Sequence, residues 1–333
     1  MDIQFPKIDG FVPISIPFHE KSANLITANL YAVGKGPIIL IDAGPKFPGA
    51  LDYLEAQLKV AGFGFNDIEK IILTHGHVDH IGLVKNIRKA AKRPIECFLH
   101  PDDRLKVSFE SFQNNFWGKE EEDFLTRAGS PENVRKKMRD RFSYFKSLAD
   151  PLKDFSFLKN GDHFSDGDYD LKVIHTPGHS PGSCCFYESN RKILFTGDVI
   201  IGHITPNPFV ELKKDFLNIP NYQALTIYLD SLEKLKALEP DFVFSGHGKP
   251  VKNLSNLISS YLKHYKQRLD LIERVLKKKP GSIYPLLQDI YPNMPEGDLF
   301  MAVSDLFAHL EVLISKGRVC LMDTGPPEQY CVT

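Results

Sequence analysis

The chain has 333 residues, with 41 Lys and Arg against 42 Asp and Glu, a formal charge of −1, and 42% hydrophobic and 25% charged residues. The length suits one large domain with an appendage or two modest domains, and the composition is globular and excludes disordered, collagen-like and disulfide-scaffold classes. The balanced charge provides no global field for nucleic acid or an anionic membrane.

Taken in order, the opening residues lack a basic segment followed by an apolar run, and no stretch approaches the ~18 apolar residues that cross a bilayer. A soluble chain without a membrane partner is expected. Residues 24–33 and 37–44, around Gly34-Lys35-Gly36, predict a β-hairpin. Residues about 48–62 place Leu51, Leu54, Leu58 and Val60 at roughly helical spacing, and a buried strand resumes at Ile68. The β–α–β rhythm is interrupted over about 101–158 by a charged, aromatic-rich stretch that predicts a helical insertion, in which Ser130 is placed to cap the helix after Gly129-Ser130-Pro131. The rhythm then returns with strands near 170–177 and 184–198, a helix near 221–238 and a strand ending at Ser245. From about 254 a long helical pattern, two further helices and a closing pair of strands suggest a small winged-helix-like unit. The expected division is 1–253, with the insertion, and 254–333.

The five cysteines, Cys97, Cys184, Cys185, Cys320 and Cys331, are odd in number and form no C-x-x-C pair. Neither a disulfide framework nor a cysteine-rich zinc site follows, and a reducing, cytoplasmic setting is expected.

The decisive segment is Thr74-His75-Gly76-His77-Val78-Asp79-His80, directly after an apolar strand. Three imidazoles and a carboxylate within six positions all require hydrogen-bond partners or a metal. His75 and His77 can point together from an extended end, whereas Asp79 and His80, at a helix start, point elsewhere. That arrangement predicts two ions. His179 after Gly178, Asp198 after Gly197 and His247 after Gly246 each follow an apolar run and a glycine that permits a tight turn.

This order, H-x-H-x-D-H, then G-H, G-D and G-H-G, resembles the metallo-β-lactamase superfamily over roughly residues 10–253, in the branch of glyoxalase II and the lactamase-beta-2-like proteins. The resemblance implies an α/β fold, an αβ/βα sandwich with its metals at one edge. It further implies that His75, His77 and His179 hold one ion, that Asp79, His80 and His247 hold the other, and that Asp198 bridges. Asp42 falls where such proteins carry an aspartate that orients a ligand histidine. Zinc suits the donors, with iron or manganese tolerated by the same types.

A dinuclear site that activates water as a bridging hydroxide makes a hydrolase that needs no nucleophilic side chain. Catalytic candidates are Asp79, Asp198 and His203, the last as a proton donor to the leaving group. A thioester of the acyl-coenzyme A or glutathione type is the first substrate expectation; a phosphodiester or RNA is the alternative, and a binding protein with vestigial activity a weaker one. Phe109, Phe112, Phe116, Trp117 and Phe124 in the insertion are candidates for a lid over the metals, and Arg135, Lys136, Lys137, Arg139 and Arg141 form a basic cluster suited to a solvated helix face or to phosphates. His19, His100, His163, His175, His264 and His309 read as ordinary histidines. A homodimer is left open.

Overall fold

Runs of β-branched residues broken by glycine turns build two sheets. In the computed structural model, which describes residues 3–17, 27–114 and 116–333, the first sheet opens with β1 (Phe11–Pro17), β2 (Thr27–Val33) and β3 (Ile38–Ile41), paired antiparallel in chain order. Residues 24–26 of the expected hairpin, and His19, lie outside the described residues. Helix α1 (Ala50–Val60) crosses back to β4 (Ile68–Ile72), parallel to β3; the short α2 (Val78–Ile81) and α3 (Val84–Ala90) lead to β5 (Glu96–Leu99), parallel to β4.

The insertion contains α4 (Phe109–Gln113), α5 (Lys119–Arg127) and α6 (Glu132–Ser147), and then β6 (Ser156–Phe157) closes the first sheet. Pro131, not Ser130, occupies the cap position of α6, and the Ser130 carbonyl instead accepts from Arg135 at 2.6 Å. A serine one residue before the cap is too far back for its hydroxyl to reach the free N–H groups of the first turn.

The second sheet runs β7 (His163–Ser165), β8 (Asp170–His175), β9 (Cys184–Glu188), β10 (Ile193–Gly197), then after α7 (Ala224–Lys236) the parallel strand β11 (Phe242–Ser245). The chain ends in α8 (Leu254–Lys278), α9 (Ile283–Ile290), α10 (Leu299–Ser315) and a ribbon of β12 (Val319–Asp323) and β13 (Gln329–Val332), the helix, helix, helix and ribbon order expected.

Alternation within single strands assembles the layers. Ile39 and Ile41 of β3 point between the sheets, against Phe186, Phe195 and Phe244, while Ile38 and Leu40 face α1 with Leu54 and Leu58. The outer face of the second sheet, with Cys185, Leu194 and Val243, packs on Leu225, Tyr228 and Leu232 of α7. The result is an αβ/βα sandwich. The same outer cluster continues through Phe124 and Val134 of the insertion and through Ile258, Tyr265, Ile272, Leu306 and Leu310 of the C-terminal helices.

Candidate metal centre

Four strand ends converge at one edge of the sandwich. His75 and His77 follow β4, and His77 caps α2, whose first turn carries Asp79 and His80. The loops after β8, β10 and β11 deliver His179, Asp198 and His247. His75 Nε2 lies 2.9 Å from His77 Nδ1, which lies 3.1 Å from His179 Nε2. His247 Nε2 lies 3.3 Å from both Asp79 Oδ2 and Asp198 Oδ2, and His80 Nε2 lies 3.4 Å from Asp198 Oδ1 and 3.9 Å from Asp79 Oδ2. Asp198 Oδ2 also comes within 3.6 Å of His179 Nε2, so one carboxylate reaches both groups. All seven residues singled out in the sequence are thus together.

Four of the five imidazoles are aimed by a bond on the other ring nitrogen. Asp42 Oδ2 accepts from His80 Nδ1 at 2.8 Å, the Asn207 carbonyl from His179 Nδ1 at 3.1 Å, and the Thr27 carbonyl from His247 Nδ1 at 2.6 Å. Thr74 Oγ1 donates to Asp42 at 2.8 Å, which leaves its lone pair for His75 Nδ1 at 3.1 Å. In each case the bond fixes Nδ1 and turns Nε2 toward the centre, the orientation a metal requires. Asp42 fills the orienting role expected of it. It does so at φ 62, a left-handed conformation in which it also accepts the Thr74 N–H at 2.8 Å.

Burial holds the His75, His77 and His179 imidazoles below their ordinary value, and their mutual repulsion adds to this. The other half behaves oppositely. Burial pulls His247 down, but Asp198 and Asp79 outweigh it and lift the imidazole to about 10; burial pushes Asp79 up, but His80 and His247 bring it to about 2. Both carboxylates are therefore ionised around a spot that attracts positive charge. His80 Nε2 and Asp198 Oδ1 are buried there without a hydrogen-bond partner. Orphaned polar atoms of this kind, with donor separations near those about a tetrahedral ion, fit divalent metal.

Close approach in this centre depends on glycine at position 246, where a Cβ would stand 2.4 Å from Asp198 Oδ1 and 2.6 Å from His80 Cε1. Beyond it, Asn29 Nδ2 donates to the Ser245 and Gly248 carbonyls at 3.1 and 2.8 Å, fixing the His247 loop.

Several contributors carry no sequence motif. Asp103 accepts from Gly76 N and Ser180 Oγ, both at 2.7 Å, and from Gly182 N at 2.9 Å, tying the His75–His77 loop to the His179 loop. Its only advance signal is an Asp-Asp pair just after a strand end. Phe209 is the phenylalanine whose ring meets His77 and His179, with centroids 5.4 and 5.3 Å away. The insertion's aromatics are instead engaged in packing: Phe112 and Phe116 in the core outside the first sheet, Phe124 against Phe307, and Trp117 on Phe142 and Glu122. Phe109 is exposed.

His203 is exposed on the loop after β10, its ring so close to Gly248 that a Cβ there would lie 2.6 Å from Nδ1. The basic residues of α6 are partly neutralised, Arg135 and Arg139 by Glu122 at 2.6 and 3.0 Å and Lys136 by Asp140 at 3.1 Å. His100, Asp102 and His175 form a second His/Asp group. Its two rings are stacked, 3.8 Å apart and 15° from parallel, so their in-plane lone pairs run side by side and do not converge on an ion.

Residues 24–247 match the family model described as the metallo-beta-lactamase superfamily. The chain belongs to the metallo-β-lactamase superfamily. Among relatives, "Probable metallo-hydrolase YqjP" of Bacillus subtilis is 28% identical over 291 residues, covering 85% of this chain and 86% of that protein. "Acyl-coenzyme A thioesterase MBLAC2" of Gallus gallus is 30% identical over 177 residues, 52% of this chain and 57% of that protein. A crystal structure of a metallo-beta-lactamase family protein from Thermus thermophilus superposes with a TM-score of 0.81 at 24% identity, covering 98% of this chain and 99% of its own, which shows the shared superfamily fold. Among the described residues, no helix is long and apolar enough to cross a membrane.

Proposed function

We propose that this chain is a hydrolase working with two divalent cations on a thioester of the acyl-coenzyme A or glutathione type. His75 Nε2, His77 Nδ1 and His179 Nε2 would hold one cation, and Asp79, His80 Nε2 and His247 Nε2 the other, with Asp198 serving both. The observation that carries this reading is the convergence of seven donor side chains, among them the buried, unsatisfied His80 Nε2 and Asp198 Oδ1. Bound there, two such ions polarise a substrate carbonyl and lower the pKa of water from 15.7 toward ~7. The donors suit zinc and accept iron or manganese. Asp79, the more exposed of the two carboxylates, is our candidate to take the proton shed by attacking water.

Three features favour a thioester. The formal charge is −1, the α6 cations are partly spent on ion pairs, and a relative bears the name of an acyl-coenzyme A thioesterase. The test is a hydrolysis screen of an acyl-coenzyme A, a glutathione thioester and an RNA oligomer, with metal-quantified protein at ~50 and ~200 mM salt. Thioester turnover is expected. RNA cleavage that falls steeply with salt, with no thioester turnover, would overturn the choice.

His203 provides a second check. A thiolate leaves with little protonation, so His203→Ala should cost thioester turnover less than about tenfold, whereas expulsion of an alkoxide would suffer by roughly 10²–10⁴. A loss of that larger size on thioesters would contradict the assignment.

Asp42 gives a third. Asp42→Asn keeps a residue that tolerates φ 62 but points an amide N–H₂ at the donors it should accept from. Metal affinity should fall about 10–100-fold, and the metal-free protein should lose about 1–3 kcal/mol, by equilibrium dialysis and urea unfolding. Unchanged affinity would show that the aim of His80 does not depend on Asp42.

A further inference from the structure

The loop between β10 and α7 forms one wall of the centre, and its hold comes largely from the C-terminal helices. Tyr261 of α8 donates to the Ile201 carbonyl at 2.5 Å and accepts the Ile201 N–H at 3.0 Å. One turn on, Tyr265 donates to the Pro206 carbonyl. Asn207 Nδ2 donates to the Met301 carbonyl in α10 at 3.0 Å, and Ser304 Oγ accepts the Val210 N–H at 2.9 Å.

Asn207 is the residue through which this scaffold reaches the centre. It lies between Pro206 and Pro208, and a residue before proline is confined to extended backbone, so its peptide has little freedom to turn. Its carbonyl takes the His179 Nδ1–H at 3.1 Å; its side chain is tied to α10; two residues on, Phe209 packs its ring against His179 and His77. An imidazole fixed at Nδ1 has its Nε2 both deprotonated and aimed.

We propose that Asn207 is a positioning residue for His179, and that α8 and α10 set metal affinity at the His75, His77 and His179 group by holding the Pro206-Asn207-Pro208 segment in place. The C-terminal helices are then part of the centre's support. The assignment rests on the reading of this group as a metal site. Asn207→Ala cuts the tether to α10 and retains the carbonyl; Asn207→Asp sets a carboxylate against the Met301 carbonyl.

The test uses the full chain and measures zinc or cobalt stoichiometry and affinity by competition with a chromophoric chelator, beside thermal unfolding of the metal-free protein. For both Asn207 variants, one of two equivalents should bind about 10–100-fold more weakly, with the other within about twofold. Metal-free melting should fall by no more than roughly 4 °C, the cost of about one hydrogen bond. Ser304→Ala, which frees the Val210 N–H, should weaken the same equivalent to a smaller degree, and it decides the matter if the Asn207 variants do not fold. Two equivalents held at wild-type strength in the variants would overturn the inference. So would equal weakening of both together with a large fall in metal-free melting, which marks a merely structural role. A wild-type chain that never binds two equivalents would instead refute the dinuclear reading itself.

Discussion

Asp198→Ala is expected to leave the protein folded, to slow thioester hydrolysis by roughly 10³-fold, and to reduce tightly held metal to one equivalent or less. Asp198 is the carboxylate that approaches both halves of the centre, at 3.6 Å from His179 Nε2, 3.4 Å from His80 Nε2 and 3.3 Å from His247 Nε2. Without it the two imidazoles of the second half face each other with Asp79 as the remaining compensating charge inside the centre. The backbone beneath is held independently, because Gly246 N donates to the Gly197 carbonyl at 2.8 Å and β10 pairs on both sides. Elemental analysis and steady-state kinetics check the two halves of this expectation. Two tight equivalents with near wild-type turnover would contradict the bridging role.

Gly178→Ala should be far more damaging to the fold. Gly178 has φ +136, and a Cβ there would stand 2.3 Å from Tyr228 Cβ and 2.4 Å from Tyr228 Cα. The obstacle is mostly the backbone of α7, which cannot swing aside as a side-chain end can. Conformational strain of about 1–3 kcal/mol and overpacking of about 1–3 kcal/mol add to a large share of a stability of roughly 5–15 kcal/mol. Urea unfolding should show a loss of several kcal/mol or no folded protein. Gly62→Ala separates the two contributions, since Gly62 also has positive φ, +86, but nothing lies within 4 Å of its added Cβ. Similar losses for the two variants would mean that the contact with α7 contributes little.

The residues of the centre were legible in the sequence because their chemistry is expensive to bury without purpose. His75, His77, Asp79, His80, His179, Asp198 and His247 each stand at the end of an apolar run, and such runs end at one edge of a sandwich. Asp42 was expected from the resemblance alone, as the position at which such proteins orient a ligand histidine. Asp103, Asn29 and Asn207 were not, because each acts by hydrogen bonds to segments 27 or more residues away, and nothing local distinguishes them from turn residues. The aromatic insertion misled in a related way. Its rings meet the amphipathic needs of short helices, so Phe112 and Phe124 went into two different cores, while Phe209, isolated in a proline-rich loop without periodicity, came to rest on the histidines.

The cluster outside the second sheet has a consequence for synthesis on the ribosome. It joins Phe124 and Val134 to Leu194 and Leu232, and these to Leu306, Leu313 and Tyr330; the Arg127 guanidinium meets Glu328 across 201 positions of chain. When α7 has just emerged, its apolar side and the insertion's inner side have no cover, and they wait in water until the last helices arrive. The first sheet with α1 and α3 draws its own core from residues 14–152 and can close long before. The nascent protein therefore passes through a stage with one half settled and the other half sticky, the kind of exposed apolar surface that chaperones bind. Ribosome-arrested chains cut at residue 253 and extended by a linker that clears the ribosome should bind such chaperones more strongly than chains extended past residue 333 by the same linker.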